Sequence, residues 1–286
     1  MKVKELYIYP IKSCRGISVK KAEVTPKGFL WDRELMLVDS EGNFLTQRQY
    51  PLLATIEVNI TDDTLTLSVG DNFSSQKYQE SVFSFKPTFS GKEVKVKIWG
   101  DRTIAIDQGD AIADWFHKAL RLPSNLKCRL VRQSNRYIRA IDRKYRTKSN
   151  QFVSFADGYP FLLTNTASLA ELNHRLQEKY PQQNQQVPMN RFRPNIVIET
   201  DQPFIESTWQ TIKIGEVIFS IVKPCTRCIV TTTNQITGER NLLNEPLAIL
   251  SSFRQVKNQG IMFGENMIPE NLGIIEIDNQ LKIGAI

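Results

Sequence analysis

Lys92-Glu93-Val94-Lys95-Val96-Lys97-Ile98-Trp99 alternates branched apolar residues at 94, 96 and 98 with charged ones at 93, 95 and 97. Successive side chains of a strand point to opposite faces, so this octet is a strand with one face buried and one in water. Toward the N-terminus the same alternation runs through residues 3–9, 17–24 and 34–38. Residues 54–60 and 64–69 flank Thr61-Asp62-Asp63, a hairpin signal, and Asp39-Ser40-Glu41-Gly42-Asn43 reverses the chain. Many short strands at this spacing, with few helices, predict a barrel or sandwich.

Beyond the octet a helix is expected over 110–120, with Ile112, Trp115, Phe116 and Ala119 on one face. The second half is mixed. A short buried strand at 161–164 precedes Thr166, which can cap a helix over 167–179 that carries Leu169, Leu172 and Leu176 on one face. The Gln-rich stretch 181–188 reads as a loop. Strands recur at 195–199, 211–214, 217–222 and 229–233, and a helix over 246–254 opens with proline in its first turn. Residues 273–284 look like a closing β-hairpin. No internal repeat and no Gly-rich phosphate loop is visible. The fold expected is α+β and mostly β, with a β-barrel-like unit at 1–118 and a second unit at 119–286.

The chain has 286 residues, which at about 150 per domain agrees with two units and gives room for a core without disulfide staples. With 41% hydrophobic and 23% charged residues it is ordinary globular protein, not a disordered chain. No apolar run reaches the 18 or so residues of a membrane span, and the start, MKVKELYIYPIKSC, lacks the apolar core of a signal peptide. Cys14, Cys128, Cys225 and Cys228 are too few for a disulfide scaffold, so a reducing cytoplasmic setting is expected. The net charge of +7 is local: residues 118–148 hold eleven Lys and Arg against Asp142 alone, leaving the rest of the chain at −3. Such a segment suits one anionic partner or ligand.

The sharpest chemical feature is Lys223-Pro224-Cys225-Thr226-Arg227-Cys228, placed where one strand ends and another begins. Neighbouring cations favour thiolate, the reactive and metal-binding form. A structural zinc site needs four ligands, but only two distant cysteines, His117 and His174 remain, so zinc fails. The residues after the pair are strand-forming, so a thioredoxin-like helix start fails too. Two buried thiols packing as small hydrophobes stays open. Three polar clusters sit at strand ends: Tyr9-Pro10-Ile11-Lys12-Ser13-Cys14, Trp31-Asp32-Arg33 and Asn190-Arg191-Phe192-Arg193-Pro194-Asn195. Arg forks and Lys charges there are how a phosphate or carboxylate is held, although each cluster alone reads better as a surface charge or satisfied turn. Asp157-Gly158-Tyr159-Pro160 is first of all a turn.

Taken together, YPIKSCRG, WDRELMLVD, FADGYPFLL, NTASLAELNHRL, NRFRPNIVI and KPCTRCIVTTT resemble, in order and over nearly the whole chain, the MOSC-domain proteins. The resemblance implies an N-terminal MOSC-associated β-barrel domain and then a MOSC-type β-barrel domain with a few flanking helices, similar to the mitochondrial amidoxime-reducing component and its bacterial relatives. It implies a molybdenum cofactor, a pterin dithiolene whose metal takes one cysteine thiolate. Soft sulfur ligation agrees with the reading of the Cys-x-x-Cys loop. By motif position Cys228 is the metal ligand and catalytic residue, and Cys225 its neighbour. Lys12, Ser13, Arg33, Arg193, Asn195, Thr226 and Arg227 match cofactor-holding positions, and Asp157 and Tyr159 border the cofactor.

The implied activity is reduction of N-hydroxylated compounds (amidoximes, hydroxylamines and N-hydroxylated bases) by oxygen transfer to Mo(IV). The chain carries no four-cysteine iron–sulfur motif. Electrons are therefore expected from a separate donor protein of flavin, ferredoxin or cytochrome b5 type. Residues 1–6 supply no targeting or anchoring sequence, so a soluble cytoplasmic protein is expected. Two rivals remain: a sulfur-carrier or pyridoxal-phosphate-binding MOSC module using Cys228 as a persulfide, and a nucleic-acid binder using 118–148. The second is disfavoured because only Tyr137 and Tyr145 interleave the basic residues.

Overall fold

The alternating octet is a strand, Glu93–Ile98, with Val96 and Ile98 buried and Glu93, Lys95 and Lys97 in water. The computed structural model describes residues 1–70 and 82–284. The octet turns through Trp99-Gly100 into Asp101–Asp107, and a four-stranded antiparallel sheet follows in the order Leu35–Asp39, Cys128–Gln133, Asp101–Asp107, Glu93–Ile98. The Thr61-Asp62-Asp63 signal makes the expected hairpin: Ile56–Thr61 pairs with Thr64–Val69, and Asp62 and Asp63 adopt the left-handed backbone that such turns require. The helix Asp110–Ala119 buries Ile112, Trp115 and Phe116 against Leu37, Leu53, Leu67 and Leu130.

The largest sheet, nine strands, runs Ile17–Val19, Lys2–Ile8, Ile196–Glu199, Phe161–Asn165, Gly260–Pro269, Val217–Arg227, Thr211–Ile214, Leu281–Ile283, with Gln255–Val256 on the side of Gly260–Pro269. Its one parallel pair, Phe161–Asn165 beside Ile196–Glu199, is joined by the crossover helix Thr166–Lys179, the long connection that parallel strands need. Leu6, Phe161, Ile198, Ile212 and Phe219 form its core. The chain is thus mostly β with three α-helices among the described residues, and none of these is long and apolar enough to cross a membrane. The two halves exchange strands. Lys2–Ile8 sits in the sheet built mainly by residues 161–283, Lys21–Thr25 pairs with Gly273–Glu276, and Cys128–Gln133 completes the sheet of the first half.

Several local expectations change. The stretch 17–24 is two strands, Ile17–Val19 and Lys21–Thr25, which join different sheets. The crossover helix is capped by Asn165, whose side chain accepts from the Ala167 amide at 3.0 Å, and Thr166 is its first residue. The strand expected at 217–222 continues to Arg227, with irregularities between Ile221 and Lys223 and between Pro224 and Thr226. Such bulges are where a sheet accepts proline and re-aims side chains. Residues 229–233 are not a strand but a 3-10 turn, Ile229–Thr232. The Thr231 and Thr232 hydroxyls donate back to the carbonyls of Cys228 (3.0 Å) and Ile229 (2.8 Å), which offsets the β preference of the run. The C-terminal stretch is not a hairpin: Gly273–Glu276 pairs with Lys21–Thr25, and Leu281–Ile283 with Thr211–Ile214.

The basic segment is partly neutralised inside the fold. Arg129 meets Asp107 and Asp110, Arg132 meets Glu34, Arg139 meets Asp101 and Lys148 meets Glu270.

Beside the capped helix lies a buried pair of acids. Glu206 accepts from Asn165 (3.1 Å) and Ser168 (2.8 Å), and Glu265 accepts from Ser207 (2.7 Å). Burial pushes Glu265 up to about 7, the Ser207 hydrogen bond working against the shift and the charge of Glu206 adding to it. A carboxyl whose folded pKa is raised stabilises the fold fully below its unfolded value, near 4.5, and loses that contribution as pH climbs through about 7. Glu265→Gln, which keeps an acceptor for Ser207, should therefore flatten the stability decline between pH 5 and 8, a difference on the order of 2–3 kcal/mol. Denaturant midpoints across that range check it; parallel curves for both proteins would refute the assignment.

Candidate active site

Three residues at strand ends share an uncommon backbone. Ser13, Arg33 and Arg193 have φ of 71°, 54° and 55°, left-handed values that cost a non-glycine residue about 1–2 kcal/mol each and cluster where structure serves a site. All three line one cleft of about 170 Å³, as do Lys12, Asp157, Tyr159, Asn195, Thr226, Arg227 and Cys228. Every residue that the resemblance assigns to the cofactor thus lines the same cavity.

Tyr9 organises its floor. The ring is buried, its hydroxyl donates to the Pro194 carbonyl at 3.0 Å, and the guanidinium carbons of Arg33 and Arg193 lie 4.3 Å from its centroid. Gly16 is needed here, since a Cβ would stand 2.4 Å from the Tyr9 ring. Arg33 donates to Asp32 (2.6 Å), Asn195 (3.2 Å) and the Arg193 carbonyl (3.1 Å). Asn195 is fully engaged: its oxygen also accepts from the Leu162 amide and its nitrogen donates to the Tyr7 carbonyl. It therefore braces Arg33. The Arg193 side chain donates one bond, to Gln235 at 3.3 Å, and its buried Nη2 has no partner among the described residues. Burial lowers Arg193 to about 10, which leaves it charged at neutral pH.

The opposite wall carries an ion pair. Lys12, 7% exposed, donates to Asp157 (2.5 Å) and to the Phe155 carbonyl (2.8 Å). Burial lowers the Lys12 pKa. Enclosure works against ionisation of Asp157, but Lys12 and the Trp99 indole hold its carboxyl below the usual carboxylate range, so it is an anion in a largely cationic cleft. Tyr159 packs edge-on against Tyr145, centroids 5.5 Å apart.

The two cysteines of the loop have different partners. Arg227 folds back to donate to Cys225 Sγ (2.9 Å) and to the Phe192 carbonyl (2.5 Å), and its buried Nε has no partner among the described residues. Cys228 receives a hydrogen bond from Arg48 Nη2 at 3.2 Å. Thr226 Oγ1 donates to the Gln259 carbonyl (3.2 Å). The other two cysteines are buried away from the cleft, and burial pushes Cys14 up to about 12 and Cys128 to about 11. Among the described residues no cluster of His, Cys, Asp and Glu forms a multi-ligand metal site.

Arg48, Phe44 and Trp99 escaped the sequence reading. Arg48 stacks on Trp99, 4.4 Å from guanidinium carbon to centroid, while Arg240 holds its backbone by donating to the Gln47 and Arg48 carbonyls. Trp99 Nε1 donates to Asp157 at 3.1 Å, and Phe44 meets its ring at 5.0 Å. The one available signal was Trp99 in a two-residue hairpin turn. It has φ 54°, the conformation for which glycine is preferred. Trp99→Gly should therefore be more stable than Trp99→Ala by about 1–2 kcal/mol, because both lose the indole and only glycine relieves the backbone. Equal unfolding midpoints would show the turn to be unstrained.

Residues 1–123 match the MOSC N-terminal beta barrel domain and residues 150–282 the MOSC domain. The chain is 34% identical to mitochondrial amidoxime-reducing component 1 of Mus musculus and 33% to that of Homo sapiens, each match covering 98% of this chain and 82% of the relative. It is 32% identical to the molybdenum cofactor sulfurase of Oryza sativa subsp. japonica over 99% of this chain, but spans only 34% of that protein. With both domain types matched in order, and relatives above 30% identity along nearly its whole length, the chain belongs to the MOSC-domain family.

Proposed function

We propose that this protein reduces N-hydroxylated compounds with a molybdenum cofactor, taking electrons from a separate donor protein. The observation that carries the reading is the donor set of the cleft: Lys12, Arg33, Arg48, Arg193 and Arg227 converge beside Cys225 and Cys228. Buried guanidinium N–H groups without partners, on Arg193 and Arg227, are costly unless something accepts from them. A phosphate-bearing pterin fits both the charge and the vacant donors. When bound, that cofactor supplies the two-electron couple that accepts the N–O oxygen.

The chain's own residues have separable roles. Cys228 provides the thiolate ligand. Arg193 and Arg33, held by Tyr9 and Asn195, offer fixed positive charge to the pterin phosphate. Lys12 and Trp99 keep Asp157 ionised at the cleft edge, where its second oxygen can accept N–H donors. Ser13, Tyr159, Thr226 and Arg227 border the cofactor, and Phe44 and Phe192 exclude water from the wall. The reaction balances as R–NHOH + 2 e⁻ + 2 H⁺ → R–NH2 + H2O. In this reading residues 1–118 and 119–286 are two units that share strands around the cleft.

A second reading, sulfur carriage on Cys228, is favoured by the 99% coverage of this chain in its match to the sulfurase. Elemental analysis of protein made in a cofactor-competent host, with an aryl amidoxime assay driven by a reduced dye, separates the two. Bound molybdenum and amidine formation are expected. Metal-free protein carrying one extra sulfur on Cys228 would replace the reductase reading with the carrier.

A further inference from the structure

We infer that the outer face of the 93–107 hairpin, carrying Lys95, Lys97 and Arg102 with Trp99 at its tip, is the docking surface for an acidic electron-donor protein. The inference rests on the reductase reading above. Lys97 and Arg102 are direct cross-strand partners, and Lys95 is two residues along the same exposed face. Like charges opposite each other on a strand pair are locally destabilising. Several other cations are matched within the fold: Lys27 and Arg132 with Glu34, Arg129 with Asp107, Arg139 with Asp101. Lys95, Lys97 and Arg102 make no ion pair among the described residues. They line a groove of about 640 Å³ whose single acid is Glu41. An anionic partner would remove the repulsion that the monomer carries.

Position relative to the cleft distinguishes this face from the basic segment. Trp99 is 45% exposed at the hairpin tip, stacks on Arg48, and Arg48 touches Cys228. A donor seated on Lys95, Lys97 and Arg102 therefore reaches the cleft sulfur across two side-chain contacts. In segment 118–148, by contrast, Arg129, Arg132, Arg139 and Lys148 already have carboxylate partners in the fold. A nucleic acid suits the hairpin less well. The hairpin offers one aromatic, Trp99, and Arg48 already stacks on that ring.

The test uses holoenzyme and a variant with Lys95→Glu, Lys97→Glu and Arg102→Glu together. Binding of an acidic flavodoxin, an acidic [2Fe–2S] ferredoxin and cytochrome b5 is measured by calorimetry at low and high salt, with turnover measured for each donor that binds. At least one should bind the wild type, and more weakly as salt rises. The triple variant should weaken that binding, and raise the donor's KM, by about tenfold or more at low salt, with dye-driven turnover unchanged. Reversal of Arg143 and Lys144 should leave donor binding near wild type. The docking face is overturned if no donor binds, if the triple variant binds like wild type, if the Arg143 and Lys144 reversal is the damaging one, or if a single-stranded oligonucleotide is the only ligand lost. Failure of dye-driven reduction in the wild type would instead overturn the reductase reading itself.

Discussion

Cys228→Ala should lose reduction of N-hydroxylated substrates down to background, while Cys225→Ala keeps substantial activity. Proximity to charge does not separate the two thiols: both are half-buried, and each accepts from an arginine, Cys225 from Arg227 and Cys228 from Arg48. Their backbones do. Cys225 lies within the irregular end of the Val217–Arg227 strand, where its sulfur is held by its own neighbour. Cys228 opens the Ile229–Thr232 turn, and its carbonyl accepts from both the amide and the hydroxyl of Thr231. A ligand must be held in place before its metal arrives, and only Cys228 is fixed in this way. Alanine at 225 removes a small side chain and should cost about 1 kcal/mol of stability. Alanine at 228 removes the metal–sulfur bond and with it the chemistry. A mechanism that cycles a disulfide between the pair makes the opposite forecast, with both variants dead. An active Cys228→Ala enzyme would end the ligand assignment.

Arg193→Ala should purify with clearly less molybdenum than the wild type while remaining folded. Among the described residues the Arg193 side chain makes one long hydrogen bond, to Gln235, and lies over Tyr9, and its Nη2 has no partner. Its removal therefore costs the fold little and the ligand much. A charged hydrogen bond is worth about 1.5–3 kcal/mol, so affinity for the phosphate-bearing cofactor should fall roughly ten- to hundredfold. Arg193→Lys should recover only part of it, because an ammonium keeps the charge but loses the planar fork. The molybdenum-to-protein ratio, read beside a thermal melt, is the measurement. Full occupancy in a well-folded Arg193→Ala protein would remove Arg193 from the cofactor site.

What could be read from the residues was whatever is decided locally. The octet 92–99 fixed its faces through alternation, and the 61–63 turn closed as expected because two aspartates tolerate the left-handed backbone. Residues 229–233 misled because threonine is strand-forming on average, yet its hydroxyl can bond backward to a carbonyl in a tight turn. Residues 273–284 alternate as strands do, but alternation is silent about the partner, and each strand found one far away in sequence. The candidate site was legible as separate charged clusters at strand ends; that they share a cleft depends on strand order. Arg48 and Trp99 were invisible for the same reason. Their significance lies in stacking on each other between Cys228 and Asp157, residues more than 50 positions downstream.

The strand Lys2–Ile8, held between Ile17–Val19 and Ile196–Glu199, leaves the ribosome long before the second of these neighbours. At roughly 5–20 residues per second, that neighbour emerges about ten to forty seconds later. Until then Val3, Leu6 and Ile8 have no complete core to enter. Pairings this distant in sequence give a high contact order and slow folding. The nascent chain therefore carries an unsatisfied apolar edge until that neighbour emerges, an aggregation-prone interval of the kind that chaperones cover.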